Sequence, residues 1–161
     1  MSDVWVVNAS PLIALGRIEC LRLLADLSGA ILIPERVLAE VEAGLQKDRA
    51  AAEILAWAAP FVTPGVSVVD SVAGWDLGVG EAQVIALCLP DPSRQAVLDD
   101  GEARRCALTL GVPMIGTLGI LLRAKRMGLV SVVRPLTERL VRSGYYLERG
   151  LLDRVLARAG E

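Results

Sequence analysis

The chain reads as an α/β protein, a mostly parallel sheet with helices on both faces, and three observations carry that reading. Short apolar runs recur, each ended by a turn or helix-capping residue. Segments of helical periodicity fall between them. Hydrophobic residues make up 53% of the 161 positions, yet only three Trp, two Tyr and one Phe are among them. A core of Leu, Val, Ile and Ala with alternating strands and helices favours right-handed βαβ crossovers over a sandwich. One core suffices at this length, and a single domain over residues 1–161 is expected.

Val4-Trp5-Val6-Val7 is the first strand, ended by Asn8, with Ser10 and Pro11 placed as N-cap and N1 of the next helix. Helical spacing runs from Leu12 to Leu27, interrupted near Gly16. Ala30–Ile33 makes the second strand, and Pro34 stops it and opens a helix over Glu35–Leu45. Asp48 suits the N-cap of a helix reaching Ala58. Beyond Pro60, Pro64 and Gly65, the run Val66–Val69 has strand character, and the Gly74–Gly80 loop leads into a helix over Glu81–Leu89. Gln95–Leu98 is a strand stopped by Asp99-Asp100-Gly101, Glu102–Leu110 a helix closed by Gly111, and Val112–Gly116 the last strand. Helices follow over Thr117–Met127, Ser131–Arg142 and Leu147–Ala159, with room for an extended piece at Tyr145-Tyr146.

Composition excludes several classes of chemistry. The chain has no histidine, which removes Ser-His-Asp and Cys-His catalysis, His-rich metal sites and histidine acid/base pairs. Cys20, Cys88 and Cys106 are odd in number, far apart and set in apolar helical patterns, so they read as buried thiols rather than a disulfide frame or zinc knuckle. The longest uncharged run, Cys106–Leu122, is shorter than a membrane span and interrupted by Gly111, Pro113, Gly116 and Gly119. No basic segment precedes an apolar one at the N-terminus, so a cytoplasmic protein without membrane contact is expected. Charge is uneven. Met1–Gly116 carries 8 Lys/Arg against 15 Asp/Glu, and Thr117–Glu161 carries 9 against 4. An acidic body with a basic C-terminal third can offer metal ligands in one part and phosphate contacts in another.

Asn8, Asp99 and Asp100 each follow a strand's carboxyl end, where an open α/β sheet collects its ligands. Glu81 starts a helix and can point back over that edge, and Glu40 lies on the helix after the second strand. Oxygen donors without histidine or thiolate suit Mg²⁺ or Mn²⁺. Asn8, Glu40, Glu81 and Asp100 are the candidate catalytic residues, with Asn8, Glu81, Asp99 and Asp100 as metal ligands. Each also has a structural role open to it: Asn8 as an Asx turn, Glu40 as a solvated helix face, Glu81 as a first-turn acid and Asp100 as an N-cap.

These residues carry a resemblance. Asn8-Ala9-Ser10-Pro11-Leu12-Ile13, Val37-Leu38-Ala39-Glu40-Val41, Gly80-Glu81-Ala82-Gln83 and Val97-Leu98-Asp99-Asp100 together resemble the four acidic motifs of the PIN-domain superfamily, which includes the VapC-type toxins. The strings N-A-S-P-L-I at Asn8 to Ile13, D-D-G-E-A-R-R at Asp99 to Arg105 and G-T-L-G-I-L-L-R-A-K at Gly116 to Lys125 are similar to a little-characterised subgroup with that opening motif. The resemblance implies a three-layer α/β/α PIN-like fold, RNA hydrolysis by a metal-activated water, a homodimer and a cognate antitoxin. The family's first acid is usually Asp. Asn8 is neutral and offers one carbonyl oxygen.

RNA phosphates brought to an acidic pocket need positive charge nearby, and Ser10, Arg104, Arg105, Arg123, Lys125 and Arg126 are the candidates for that contact. Two functions of different class therefore stand at this point: a Mg²⁺-dependent endoribonuclease, and a catalytically weakened PIN-like module that binds nucleic acid or regulates. A dinucleotide-binding domain needs G-x-G-x-x-G after strand one, where the chain has Asn8-Ala9-Ser10.

Overall fold

Val4-Trp5-Val6-Val7, buried from Trp5 onward, forms the central strand β1 (Val4–Val7) of a five-stranded sheet. The computed structural model describes residues 3–44, 46 and 48–161. The other strands are β2 (Ala30–Pro34), β3 (Val62–Thr63), β4 (Arg94–Val97) and β5 (Met114–Ile115). All pairings are parallel and the order is β3-β2-β1-β4-β5. Trp5 stands opposite Ile31 on one side and Gln95 on the other. From β1 the chain builds outward through β2 to β3, then returns to lay β4 against the other side of β1. The topological switch point thus falls between β1 and β4, and the crevice beyond their carboxyl ends is where such sheets bind ligands.

Helices cover both faces in a three-layer α/β/α arrangement. They are α1 (Ala9–Arg17), α2 (Arg22–Leu27), α3 (Glu35–Gly44), α4 (Ala51–Ala58), α5 (Asp70–Ala73), α6 (Val79–Cys88), α7 (Gly101–Thr109), α8 (Thr117–Arg126), α9 (Arg134–Arg142) and α10 (Arg149–Ala159). α6 packs on β1, β2 and β4 and against α3, while α8 packs with α2 and α10. The core is aliphatic, with Leu12, Leu15, Ile33, Ile54, Ile85, Leu98, Ile120 and Leu121 buried around Trp5. Gly16 lets α1 and α4 approach closely, because a Cβ there would collide with Ile54. Among the described residues no helix is long and apolar enough to cross a membrane.

Several expected boundaries shift for identifiable reasons. Asn8, not Ser10, is the N-cap residue of α1, and its side chain makes no capping bond. The helical stretch Leu12–Leu27 divides at a turn where Glu19 takes positive φ. The expected strand Val66–Val69 is not one, because the Gln83 side-chain amide occupies the backbone of Val66. It accepts from Val66 N–H and donates to the Val66 carbonyl, both at 2.8 Å. The edge strand is instead the two-residue β3, paired with Ile33 and Pro34. Val112–Gly116 contributes only Met114 and Ile115 to the sheet. α9 begins at Arg134 rather than Ser131, with Pro135 in its first turn. Tyr145-Tyr146 lies in the loop between α9 and α10. Leu45, the expected end of α3, falls outside the described residues.

Candidate active site

β4 delivers two carboxylates at its end, and the structure gives them different tasks. Asp99 accepts from Thr117 N–H at 2.8 Å and from the Thr117 hydroxyl at 2.6 Å, so it ties the end of β4 to the first residue of α8. Asp100 is the N-cap of α7, with one oxygen accepting from Ala103 N–H at 3.0 Å. That cap uses only one oxygen of an exposed side chain.

Glu81 lies in the first turn of α6 and is half-buried. Glu40 reaches the same helix end from α3, accepting from Gly80 N–H at 2.8 Å. Gly80 is needed for this contact, since a Cβ there would lie 2.8 Å from both Glu40 oxygens. A carboxylate at a helix N-terminus meets unpaired N–H groups and the positive end of the dipole.

Asn8 bridges the switch point. Its backbone N–H donates to the Val97 carbonyl at 3.1 Å, joining the end of β1 to the end of β4. The side chain is 1% exposed, and its Oδ1 is buried with no hydrogen-bond partner among the described residues. An unsatisfied buried carbonyl costs about 1–3 kcal/mol, so this oxygen is available to a donor or a cation.

A cavity of about 490 Å³ opens at this edge, and its wall includes Ser10, Arg17, Glu81, Asp99, Asp100, Tyr145 and Tyr146. The structure therefore brings Glu81, Asp99, Asp100 and Ser10 together. Asn8 and Glu40 are outside the wall, attached to it through Val97 and Gly80. Arg17 and the tyrosines were not anticipated. Burial, with the Asp99 carboxylate beside it, raises the Tyr145 phenol above its ordinary pKa. The loop carrying it is tied to α1, because Arg17 donates to the Ser143 carbonyl at 3.3 Å while holding Asp48 at 3.0 Å.

The other expected nucleic-acid contacts lie outside this wall. Arg104 donates to the Leu98 carbonyl at 3.0 Å. Arg105 pairs with Glu102 at 3.0 Å on an exposed helix face. Arg123 places its guanidinium 5.6 Å from the ring centroid of Trp5. Lys125 pairs with Glu161 at 2.6 Å, and Arg126 is exposed at the end of α8. At 1.5 Å per residue, Arg123 to Arg126 sit roughly 9–14 Å along α8 from Thr117.

Among the described residues no three His, Cys, Asp or Glu side chains are gathered closely enough to hold a metal ion. The donor chemistry still fits Mg²⁺, which binds through one or two carboxylates and keeps several waters. Glu81 and Asp100, with the unpartnered Asn8 oxygen, are the groups that could hold it.

Compared with known protein families, the chain matches the DUF3368 family model, described as a PIN domain, over residues 4–161. No curated protein matches it.

Proposed function

This chain belongs to the PIN-domain family, a nuclease-type fold whose members generally bind nucleic acids, and from that premise we propose that it is a metal-dependent endoribonuclease of the VapC type. The observation that carries the reading is the meeting of Glu81, Asp99 and Asp100 in one cavity at the switch point of the sheet. Glu81 and Asp100 would hold Mg²⁺ or Mn²⁺, with the Asn8 carbonyl oxygen as a neutral third donor. A bound ion supplies a water of lowered pKa and neutralises charge building on the phosphodiester. Asp99, with both oxygens already engaged by Thr117, positions α8. Glu40 fixes the N-terminus of α6 and therefore the origin of Glu81.

The deciding experiment is RNA cleavage by purified protein with Mg²⁺, with Mn²⁺ and with chelator, beside Glu81→Gln and Asp100→Asn. Cleavage should need metal and fall at least ~100-fold in either variant. Cutting that persists in chelator, or in both variants, overturns the reading.

A second reading has its own support. Asn8 is neutral, Asp99 is committed to Thr117, and among the described residues no three acids lie close enough together to hold a metal ion. On that reading the protein is a regulatory module that holds RNA in chelator and cuts it at no metal concentration.

A toxin role extends the first reading to a cytoplasmic homodimer bound by a cognate antitoxin. The exposed Met127, Leu129 and Val132 provide apolar surface for such contacts. Sedimentation at micromolar concentration tests the dimer, and a monomer alone would count against it.

A further inference from the structure

Arg17 and Tyr146 stand in the wall of the acidic cavity, and the proposed hydrolysis uses neither. Tyr146 is 89% exposed, the most exposed of the large hydrophobic side chains among the described residues. The residues just before it are nonetheless fastened. Ser143 donates through its hydroxyl to the Leu140 carbonyl at 2.8 Å, Arg17 holds the Ser143 carbonyl, and Tyr145 N–H donates to Leu140 at 3.0 Å. Tyr145, next to it, is half-buried and packs against the core. A ring with two side-chain torsions is thus presented to solvent from an anchored segment, beside carboxylates. Such a ring costs little to order and offers a face on which any nucleobase can stack.

Charge points the same way. A phosphodiester entering the cavity meets Glu81, Asp99 and Asp100, and Arg17 is the one cation in that wall. Two of its nitrogens, Nε and Nη1, are occupied by Asp48 and Ser143. Guanidinium carries five N–H donors, so capacity remains for a phosphate oxygen. The cavity, at about 490 Å³, has the size of a pocket for one small ligand. A base stacked inside a duplex has no free face to give the ring.

We propose that Tyr146 and Arg17 form a clamp for one unpaired nucleotide, the ring stacking on its base and the guanidinium meeting its phosphate. This rests on the reading of the acidic cavity as an RNA site.

Binding is measured in chelator, so that cleavage plays no part, with a labelled oligoadenylate of about ten nucleotides. The same strand annealed to its complement and an abasic strand of equal length are the comparisons. Wild type should prefer the single strand to the duplex by at least ~10-fold, and Tyr146→Ala should weaken single-strand binding roughly 5- to 150-fold. Tyr146→Trp should retain binding, and the Tyr146→Ala loss should vanish on the abasic strand. Arg17→Gln should lower the salt slope by about one. Equal binding of duplex, or Tyr146→Ala indistinguishable from wild type, overturns the clamp. So does no binding of either RNA. Metal-dependent cleavage by wild type in the same preparation would then show that the clamp alone has failed, and its absence would remove the hydrolase reading too.

Discussion

Glu40 and Gly80, forty positions apart, are joined by one hydrogen bond of 2.8 Å from the glycine N–H to the glutamate carboxylate. The bond locks the acid of α3 to the first turn of α6, one residue before Glu81. Gly80→Ala sets two effects against each other. Alanine favours a helix over glycine by up to about 1 kcal/mol, while its Cβ would sit 2.8 Å from both Glu40 oxygens. The acid can swing away because it is exposed, so the fold should survive with a thermal midpoint near wild type. Any metal-dependent cleavage should fall ~10-fold or more, which paired melting and cleavage measurements would show.

Asn8→Asp places a negative donor where the buried, unpartnered Oδ1 now lies. A carboxylate buried without a counter-charge costs several kcal/mol, so the variant should melt earlier than wild type in chelator. Mg²⁺ or Mn²⁺ should restore the loss and stabilise the variant more than it stabilises wild type. A melting curve indifferent to metal would remove Asn8 from the ligand set.

For Arg123 the expected defect is structural. Its guanidinium lies over Trp5, a fully buried side chain of the central strand. Arg123→Ala should cost about 0.5–2 kcal/mol in denaturant unfolding. The salt slope of RNA binding should remain that of wild type, in contrast to Arg17→Gln. A reduced slope would return Arg123 to the phosphate contacts.

Glu161 gives a pH dependence with a definite sign. Its carboxylate accepts from Lys125 Nζ at 2.6 Å and from Val133 and Arg134 N–H, so it fastens α8 to the start of α9. Lys125 first, then the Val133 N–H, lower its pKa from 4.5 to about 2. A group depressed in the folded state stabilises above its unfolded pKa, and the contribution is lost as pH falls from about 4.5 through about 2. Glu161→Gln should therefore flatten stability against pH in that window, while the acid slope should persist from Asp48, lowered by the Ala50 N–H and Arg17, and from Asp91, lowered by Ser93. An unchanged slope would mean that the cluster does not persist in solution.

What the sequence revealed follows from range of interaction. β1 and β2 are apolar runs ended by Asn8 and Pro34, and β4 closes on Ala96-Val97, with Leu98 leading to Asp99, signals local to a few residues. β3 escaped because two residues pair at the sheet edge, while the more strand-like Val66–Val69 is claimed by Gln83 from α6. Asp99 and Asp100 were legible because they follow a strand end directly, and Glu81 because it opens a helix that can point back over the same edge. Arg17, Tyr145 and Tyr146 were not, since nothing near them announces that the α9–α10 loop folds back over β4. The one available signal was weak: the chain's only two tyrosines are adjacent, directly after Gly144. Arg123 and Lys125 stand outside the cavity wall for the converse reason, as proximity in sequence to the acidic strand end says nothing about which way α8 runs.

The register of β1 against β4 also bears on how the molecule is made. Val4 meets Ala30 early in synthesis, but its other neighbour, Arg94, belongs to the far half of the chain. Pairing across so long a loop is entropically slow, and the seam it closes is the one that holds the acids. Arg17 then waits still longer for Ser143. A nascent chain emerging from the ribosome thus carries Asn8 well before Val97 and Glu40 well before Gly80, so the acidic wall cannot assemble until Asp100 has been made, and it gains its tyrosines later still.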